Sequence, residues 1–227
     1  MKAKTIGIIG GAGPQAGALL FEKVIRQCTV DYGCHRDPDF PKIYLLSFPF
    51  AEVLVPPFSI QQVQKQLSEA LGNLRSNGAE VISIACNTLH AFLPKDEDLS
   101  DLIHLPKVIA NAIPKTEIPL VLCTTTSVNF ALHKQFFPCV YPSEQIQKEV
   151  DKIINRVLKG DPMEETSRDL LKIIQSQKED TIILGCTELS LLADRLVIQN
   201  KKIIDPLTLA SEQILKSSFL TLKESNV

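Results

Sequence analysis

Val81–His90 reads VISIACNTLH, and one hundred residues further on Thr181–Ser190 reads TIILGCTELS. Each stretch is a short apolar run rich in β-branched residues that ends in a small residue, a cysteine and then a polar residue. Runs of this kind read as buried strands of a parallel sheet, and open α/β sheets bind ligands beyond the carboxyl ends of their strands. Cys86 and Cys186 therefore stand where such a fold keeps its chemistry. A single cysteine after a strand is ordinarily a small core residue. Two of them in matching contexts, one in each half of the chain, point to a shared site.

Working outward, the first half opens with the strand Thr5–Gly10 (TIGIIG), followed by Gly11-Ala12-Gly13-Pro14 and an amphipathic helix over Gln15–Cys28. Pro14 suits the first helical position, and the glycines permit a tight turn against a ligand. The free N–H groups at that helix start suit a carboxylate or a phosphate. Gly11-x-Gly13-x-x-Ala16 also matches a loose dinucleotide fingerprint, but the next strand, Lys42–Phe48, ends without the acidic residue that fingerprint requires. Asp31–Pro41 reads as a polar loop and Pro49–Pro57 as a proline-interrupted apolar loop. Ser59 caps a helix over Ile60–Ser76 that Asn77-Gly78 stops. The Cys86 strand follows at the spacing of a parallel crossover. After it come a second helical stretch, Pro106 and a short apolar piece, Val108–Ile113.

The second half repeats this order. Leu120–Cys123 is a strand, and Thr124-Thr125-Thr126-Ser127 is a polar turn with hydroxyls in place of glycines. A helix is expected through about Phe137, then a short strand at Cys139–Tyr141 and helices over Glu144–Leu158 and about Met163–Gln177. The Cys186 strand, a strand at Lys202–Ile204 and a helix from Asp205-Pro206 to about Leu222 complete it, with a frayed tail over Lys223–Val227. The pattern predicts an α/β protein of two similar lobes. Each lobe is a mainly parallel sheet flanked by helices, related to the other by a pseudo-twofold duplication with the active site between them. We assign residues 1–113 plus about 206–227 to the first lobe and 114–205 to the second.

The 227 residues are 44% hydrophobic and 22% charged, with a formal net charge of −2. That balance gives no reason to expect a nucleic-acid or membrane partner. No apolar run reaches the length of a membrane span, and the start of the chain leads directly into a strand, so the expected location is cytoplasmic. Six cysteines without regular spacing and without a CxxC pair do not form a disulfide framework or a metal site. No metal is expected. Cys28, Cys34, Cys123 and Cys139 read as structural.

Two facing thiols have a specific use. A carbon acid beside a carboxylate is very weak, so inverting it needs a base on one face and an acid on the other. A thiolate and a thiol can exchange those roles between the two directions. Asn87, Thr88 and Thr187 stand beside the cysteines with donors for a substrate carboxylate, and His90 and Glu188 lie within one turn as groups able to tune the thiols.

IGIIGGAGP, ACNTLH and LGCTEL together resemble the aspartate/glutamate racemase family, the cofactor-independent amino-acid racemases. The resemblance extends through RDPDFP, YPSEQIQKEV and IIDP. It implies two α/β lobes, a homodimer, a small-molecule amino-acid substrate and no cofactor. It also implies Cys86 and Cys186 as the two catalytic acid/bases, and Asn87, Thr88 and Thr187 as holders of the substrate's amino and carboxylate groups. Gly11 and Gly13 match the first turn of the family pattern, and Thr124 and Thr125 the polar turn of the second lobe. Two departures bear on substrate. Val53 stands about where aspartate-type members carry an Arg for the substrate carboxylate, and Lys159 is the positional candidate for a second basic group. Val53, with Phe48 and Phe50 nearby, suits a neutral or apolar side chain better than a charged one. Other chemistries remain open on the same scaffold: hydantoin racemisation, diacid isomerisation, decarboxylation, or amino-acid binding without catalysis.

Overall fold

The computed structural model describes residues 3–53 and 57–219. In the first half, β1 (Ile6–Gly10), α1 (Pro14–Tyr32), β2 (Ile43–Ser47), α2 (Ile60–Ser76), β3 (Val81–Ile84), β4 (Leu102–Ile103) and α3 (Leu105–Ala112) follow in turn. The four strands form one sheet in the order β2-β1-β3-β4, parallel at every pairing. β1 is buried at all five positions, because helices cover both of its faces, and this explains why IGIIG shows no polar alternation. Ile6 and Ile8 pack with Leu20 and Val24 of α1, whereas Ile9 packs with Val63, Leu67 and Leu71 of α2. Helix α1 lies so close to β1 that a Cβ on Gly17 would stand 2.9 Å from the Gly10 Cα.

The second half contains β5 (Leu120–Val121), α4 (Thr125–Asn129), α5 (Glu144–Lys159), α6 (Met163–Ser176), β6 (Thr181–Ile183), β7 (Lys202–Ile204) and α7 (Pro206–Phe219). Its sheet runs β5-β6-β7, again parallel, and Leu120 makes an isolated parallel bridge to Val140. With Val140 counted as a vestigial strand, the spatial order in both halves is second, first, third, fourth. The two-lobe duplication read from the sequence is thus present in the strand order itself.

Helix α7 returns to the first sheet, packing on α1 and α3. Lys4 and Ser218 exchange hydrogen bonds, Lys4 N to Ser218 O at 3.1 Å and Ser218 Oγ to Lys4 O at 2.8 Å. Asp205 caps α7 through Leu207 N at 3.1 Å and also takes an ion pair from Lys23 of α1 at 3.1 Å. No described helix is long and apolar enough to cross a membrane.

The structure corrects several boundaries. Asp31 and Tyr32, expected in a polar loop, are the last turn of α1; Tyr32 stacks on Phe219 at 4.5 Å, which gives an aromatic ring at the helix end a partner. Val108–Ile113 is not a free apolar piece, since Val108–Ala112 belongs to α3, with Pro106 in its first turn. The helix expected through Phe137 ends at Asn129. Ala131 adopts a left-handed φ of 46°, and a separate 3-10 turn follows at His133–Gln135. A run of three threonines is a weak helix former, and here their side chains are engaged elsewhere. Residues 54–56 of the proline-interrupted loop, the end of the last helix beyond Phe219 and the tail lie outside the described residues.

Candidate active site

Both cysteine strands end in the same way. After β3 the chain passes through Ala85, Cys86 and Asn87 into a 3-10 turn at Thr88–Phe92, and after β6 it passes through Cys186, Thr187 and Glu188 into a 3-10 turn at Leu189–Arg195. Thr187 Oγ1 donates to the Ala85 carbonyl at 3.0 Å, fully buried. The residue after one cysteine is thus bonded to the residue before the other, and the two strand ends are held tip to tip. Cys86 and Cys186 line one cavity of about 130 Å³. That is close to the ~150 Å³ of an engineered apolar cavity that holds benzene. It is enough for the reacting centre of a small ligand.

The glycine turn Gly11–Gly13 forms one wall, the loop Phe50–Val53 another, and Thr88, Leu158 and Glu188 complete the lining. The charged side chains among the described lining residues are Glu52 and Glu188. Two larger grooves, of about 600 and 590 Å³, touch Lys4 and Glu80 in one case and Glu117 and Asp180 in the other. Those residues precede their strands, so the grooves lie at the amino ends of the sheets, away from the cysteines. The smaller cavity is where this topology places a ligand.

With this geometry in view, the comparisons with known proteins can be stated. The sequence model of the Asp/Glu/hydantoin racemase family matches residues 9–214. The chain belongs to that family. It is similar to the broad specificity amino-acid racemase RacX of Bacillus subtilis (strain 168), at 25% identity over 203 residues, 84% of this chain and 88% of that protein. Its fold is that of a Picrophilus torridus aspartate racemase, with a TM-score of 0.75 at 20% identity over 96% of this chain and 94% of that one. An aspartate racemase homologue from Pyrococcus horikoshii OT3 gives a TM-score of 0.66 at 22% identity, over 95% and 99% of the two chains. At these identities the structural likeness concerns the two-lobed fold.

In this racemase-family cavity the two thiols have unlike surroundings. The backbone N–H groups of Leu89 and Thr88 and the Thr88 hydroxyl favour the Cys86 thiolate; burial and the Glu188 charge outweigh them and push it up to about 12. Cys186 donates to Glu188 Oε2 at 2.8 Å. Burial, Glu188 and the neighbouring Cys86 hold it above the ordinary thiol range. Burial likewise raises Glu188. Cys186 and Glu188 are a buried pair joined by that hydrogen bond.

Several residues expected at the substrate prove to be committed within the protein. Thr187 is spent on the Ala85 carbonyl. Thr124 caps α4 through Ser127 N at 3.1 Å, and its hydroxyl lies 3.2 Å from that of Thr88. Thr125 donates its N–H at 3.1 Å and its hydroxyl to Asp151, so the polar turn of the second lobe already holds a carboxylate. Gly11 and Gly13 do line the cavity, but the space over Gly13 is filled by the Glu188 carboxylate. Lys159 is exposed at the end of α5, and the preceding Leu158 lines the cavity instead.

His90 also departs from expectation. Its Nε2 accepts from Leu105 N at 3.2 Å, so Nδ1 carries the proton and donates to the Cys86 carbonyl at 2.8 Å. Burial pushes it down to about 3. It is a neutral brace for the Cys86 backbone and makes no bond to the thiol. Asn87 is 1% exposed and neither amide atom has a partner, and it stands between the lining residues Cys86 and Thr88 without lining the cavity itself. Val53 lines the cavity at 4% exposure, and its carbonyl accepts from Thr126 Oγ1 at 2.8 Å. Glu52 and Leu158 were not legible as site residues, because nothing in their local pattern distinguishes them from an exposed loop residue and a helix-end apolar residue.

Proposed function

We propose that the protein racemises a free amino acid with a non-acidic side chain, moving the α-proton between Cys86 and Cys186. The observation that supports this reading is the pair of buried thiols lining one cavity, at strand ends joined through Thr187 and Ala85. In one direction the Cys86 thiolate takes the proton from Cα. The S–H bond forms as the C–H bond breaks, and the electron pair passes into the substrate carboxylate. The Cys186 thiol then delivers its proton to the opposite face, and its sulfur is left as the thiolate. The reverse reaction exchanges the roles.

The surroundings suit this division. The three donors around Cys86 stabilise its anion, and Glu188 holds the proton that Cys186 gives or takes. In the resting site both thiols are neutral. A substrate ammonium brings a positive charge beside carboxylates, the charged side chains among the described lining residues, and so favours loss of the Cys86 proton to solvent while Cys186 keeps its own. The orphaned amide of Asn87, between the lining residues Cys86 and Thr88, carries an acceptor and donors that a substrate's ammonium and carboxylate would engage once its side chain turns to the cavity. Val53, in the position expected for an Arg, leaves an acidic side chain without a cation. The same reading makes the protein a cytoplasmic homodimer with lobes divided near residues 113 and 205, and equilibrium sedimentation tests the dimer.

The test is proton NMR in D₂O with the reduced protein and a panel of L- and D-amino acids. Loss of the α-proton signal with appearance of the other enantiomer is expected. Thermal stabilisation by an amino acid without any α-exchange would replace the racemase with a binding protein.

A further inference from the structure

Thr88 lines the cavity with Cys86, and its hydroxyl is met by two hydroxyls from the second half of the chain. Thr88 Oγ1 lies 3.1 Å from Ser127 Oγ and 3.2 Å from Thr124 Oγ1, and those two oxygens are themselves 3.1 Å apart. The three hydroxyls close a ring, and all three residues are buried. Such a ring has a direction, because each hydroxyl owns one hydrogen and can accept two. Here the direction follows from a backbone donor. Ser127 N donates to Thr124 Oγ1 at 3.1 Å, and Thr124 Oγ1 donates in turn to Ser127 Oγ. The Ser127 hydrogen then goes to Thr88 Oγ1. The Thr88 hydrogen is the one left with a choice of acceptor.

One acceptor is Thr124 Oγ1, which closes the ring along its longest edge. The other is Cys86, two residues back at the same strand end, whose thiolate the Thr88 hydroxyl favours. While Cys86 is a neutral thiol the ring stays closed, since its sulfur is a weak acceptor. Once Cys86 is an anion, a charge-assisted bond to sulfur outweighs the 3.2 Å contact that it replaces. Thr88 still accepts from Ser127 in that state, which polarises its O–H toward the sulfur. Cys186 faces a different partner, the Glu188 carboxylate. We propose that Thr124 and Ser127 are positioning residues that turn the Thr88 hydroxyl onto the Cys86 thiolate. No proton changes owner in this step; the Thr88 hydrogen only rotates from one acceptor to the other. Its value for catalysis rests on the racemase reading, but the stabilised thiolate itself is open to measurement without turnover.

The test is the rate of iodoacetamide labelling at pH 8, resolved for Cys86 and Cys186 by peptide mass spectrometry on the reduced full-length protein. Thr88→Val should slow labelling of Cys86 by about 2- to 4-fold, the effect of one hydrogen bond after allowing for the greater nucleophilicity of a more basic thiolate. Cys186 should label as in the wild type. Thr88→Ser, which keeps the hydroxyl, should restore the Cys86 rate. Ser127→Ala should slow Cys86 by a smaller factor and add nothing further in the Thr88→Val background. An unchanged Cys86 rate in Thr88→Val, equal changes at both cysteines, or a Ser127→Ala effect that persists in full without the Thr88 hydroxyl would overturn the proposal. The expected labelling pattern would uphold it even if no amino acid exchanged its α-proton, a result that would remove the racemase reading alone.

Discussion

Glu188 and Gly13 come from opposite halves of the chain, and a carboxylate oxygen of Glu188 occupies the space that a Cβ on Gly13 would need. Gly13 also has a φ of 82°, open to glycine at little cost. Gly13→Ala therefore strains the turn and displaces the Glu188 carboxylate that accepts from Cys186. We expect a stability loss of about 1–3 kcal/mol, read by urea unfolding, and a fall of at least about tenfold in kcat. Unchanged kcat would show that Glu188 has no part in proton handling.

Removing either thiol separates the two half-reactions. Cys86→Ala and Cys186→Ala should each lower racemisation by about 10²–10⁴-fold, the span of a lost general acid or base. Each should still wash out the α-proton of one enantiomer, a different one in each variant. Full racemisation in either variant would refute the two-thiol mechanism.

Thr187 and Asn87 are neighbours of the cysteines with opposite expected effects on stability. Thr187→Val orphans the buried Ala85 carbonyl and should cost about 1–3 kcal/mol. Asn87→Leu removes a buried amide that has no partner, so unfolding stability should hold or rise while KM increases sharply. A marked stability loss in Asn87→Leu would mean that the amide serves the fold.

Two buried histidines and a half-buried one set an acid limit on stability. His90 lies down at about 3, and His104 and His133 at about 4, all chiefly through burial. Below an unfolded value near 6.5 the unfolded chain takes up protons at these sites that the folded chain refuses. Their stabilising contribution is complete above about pH 6.5 and is lost as pH falls toward 4. Urea unfolding from pH 7.5 to 5 should show this decline, and His133→Phe, which removes a ring with no hydrogen-bond partner, should flatten it.

The strand-ending cysteines, the cap at Ser59, the helix start at Asp205-Pro206 and the order of elements were legible because each depends on local pattern. Ser59 accepts from Gln62 N at 3.2 Å, and its helix spans the residues read for it. The partners of the threonines were not legible. Thr125 is bonded to a carboxylate 26 residues away and Thr187 to a carbonyl 102 residues away, and no spacing rule encodes such contacts. The same holds for His90, whose ring is turned toward the backbone by Leu105 N.

The paired hydrogen bonds between Lys4 and Ser218 have a consequence for engineering. The two ends of the described chain are neighbours, so a short linker could join them at small loop-closure cost. New termini could then be opened in an exposed turn such as that at Asn200, which already adopts a left-handed φ of 67°. The circular permutant would keep the buried bond between Thr187 and Ala85 while changing which half is synthesised first.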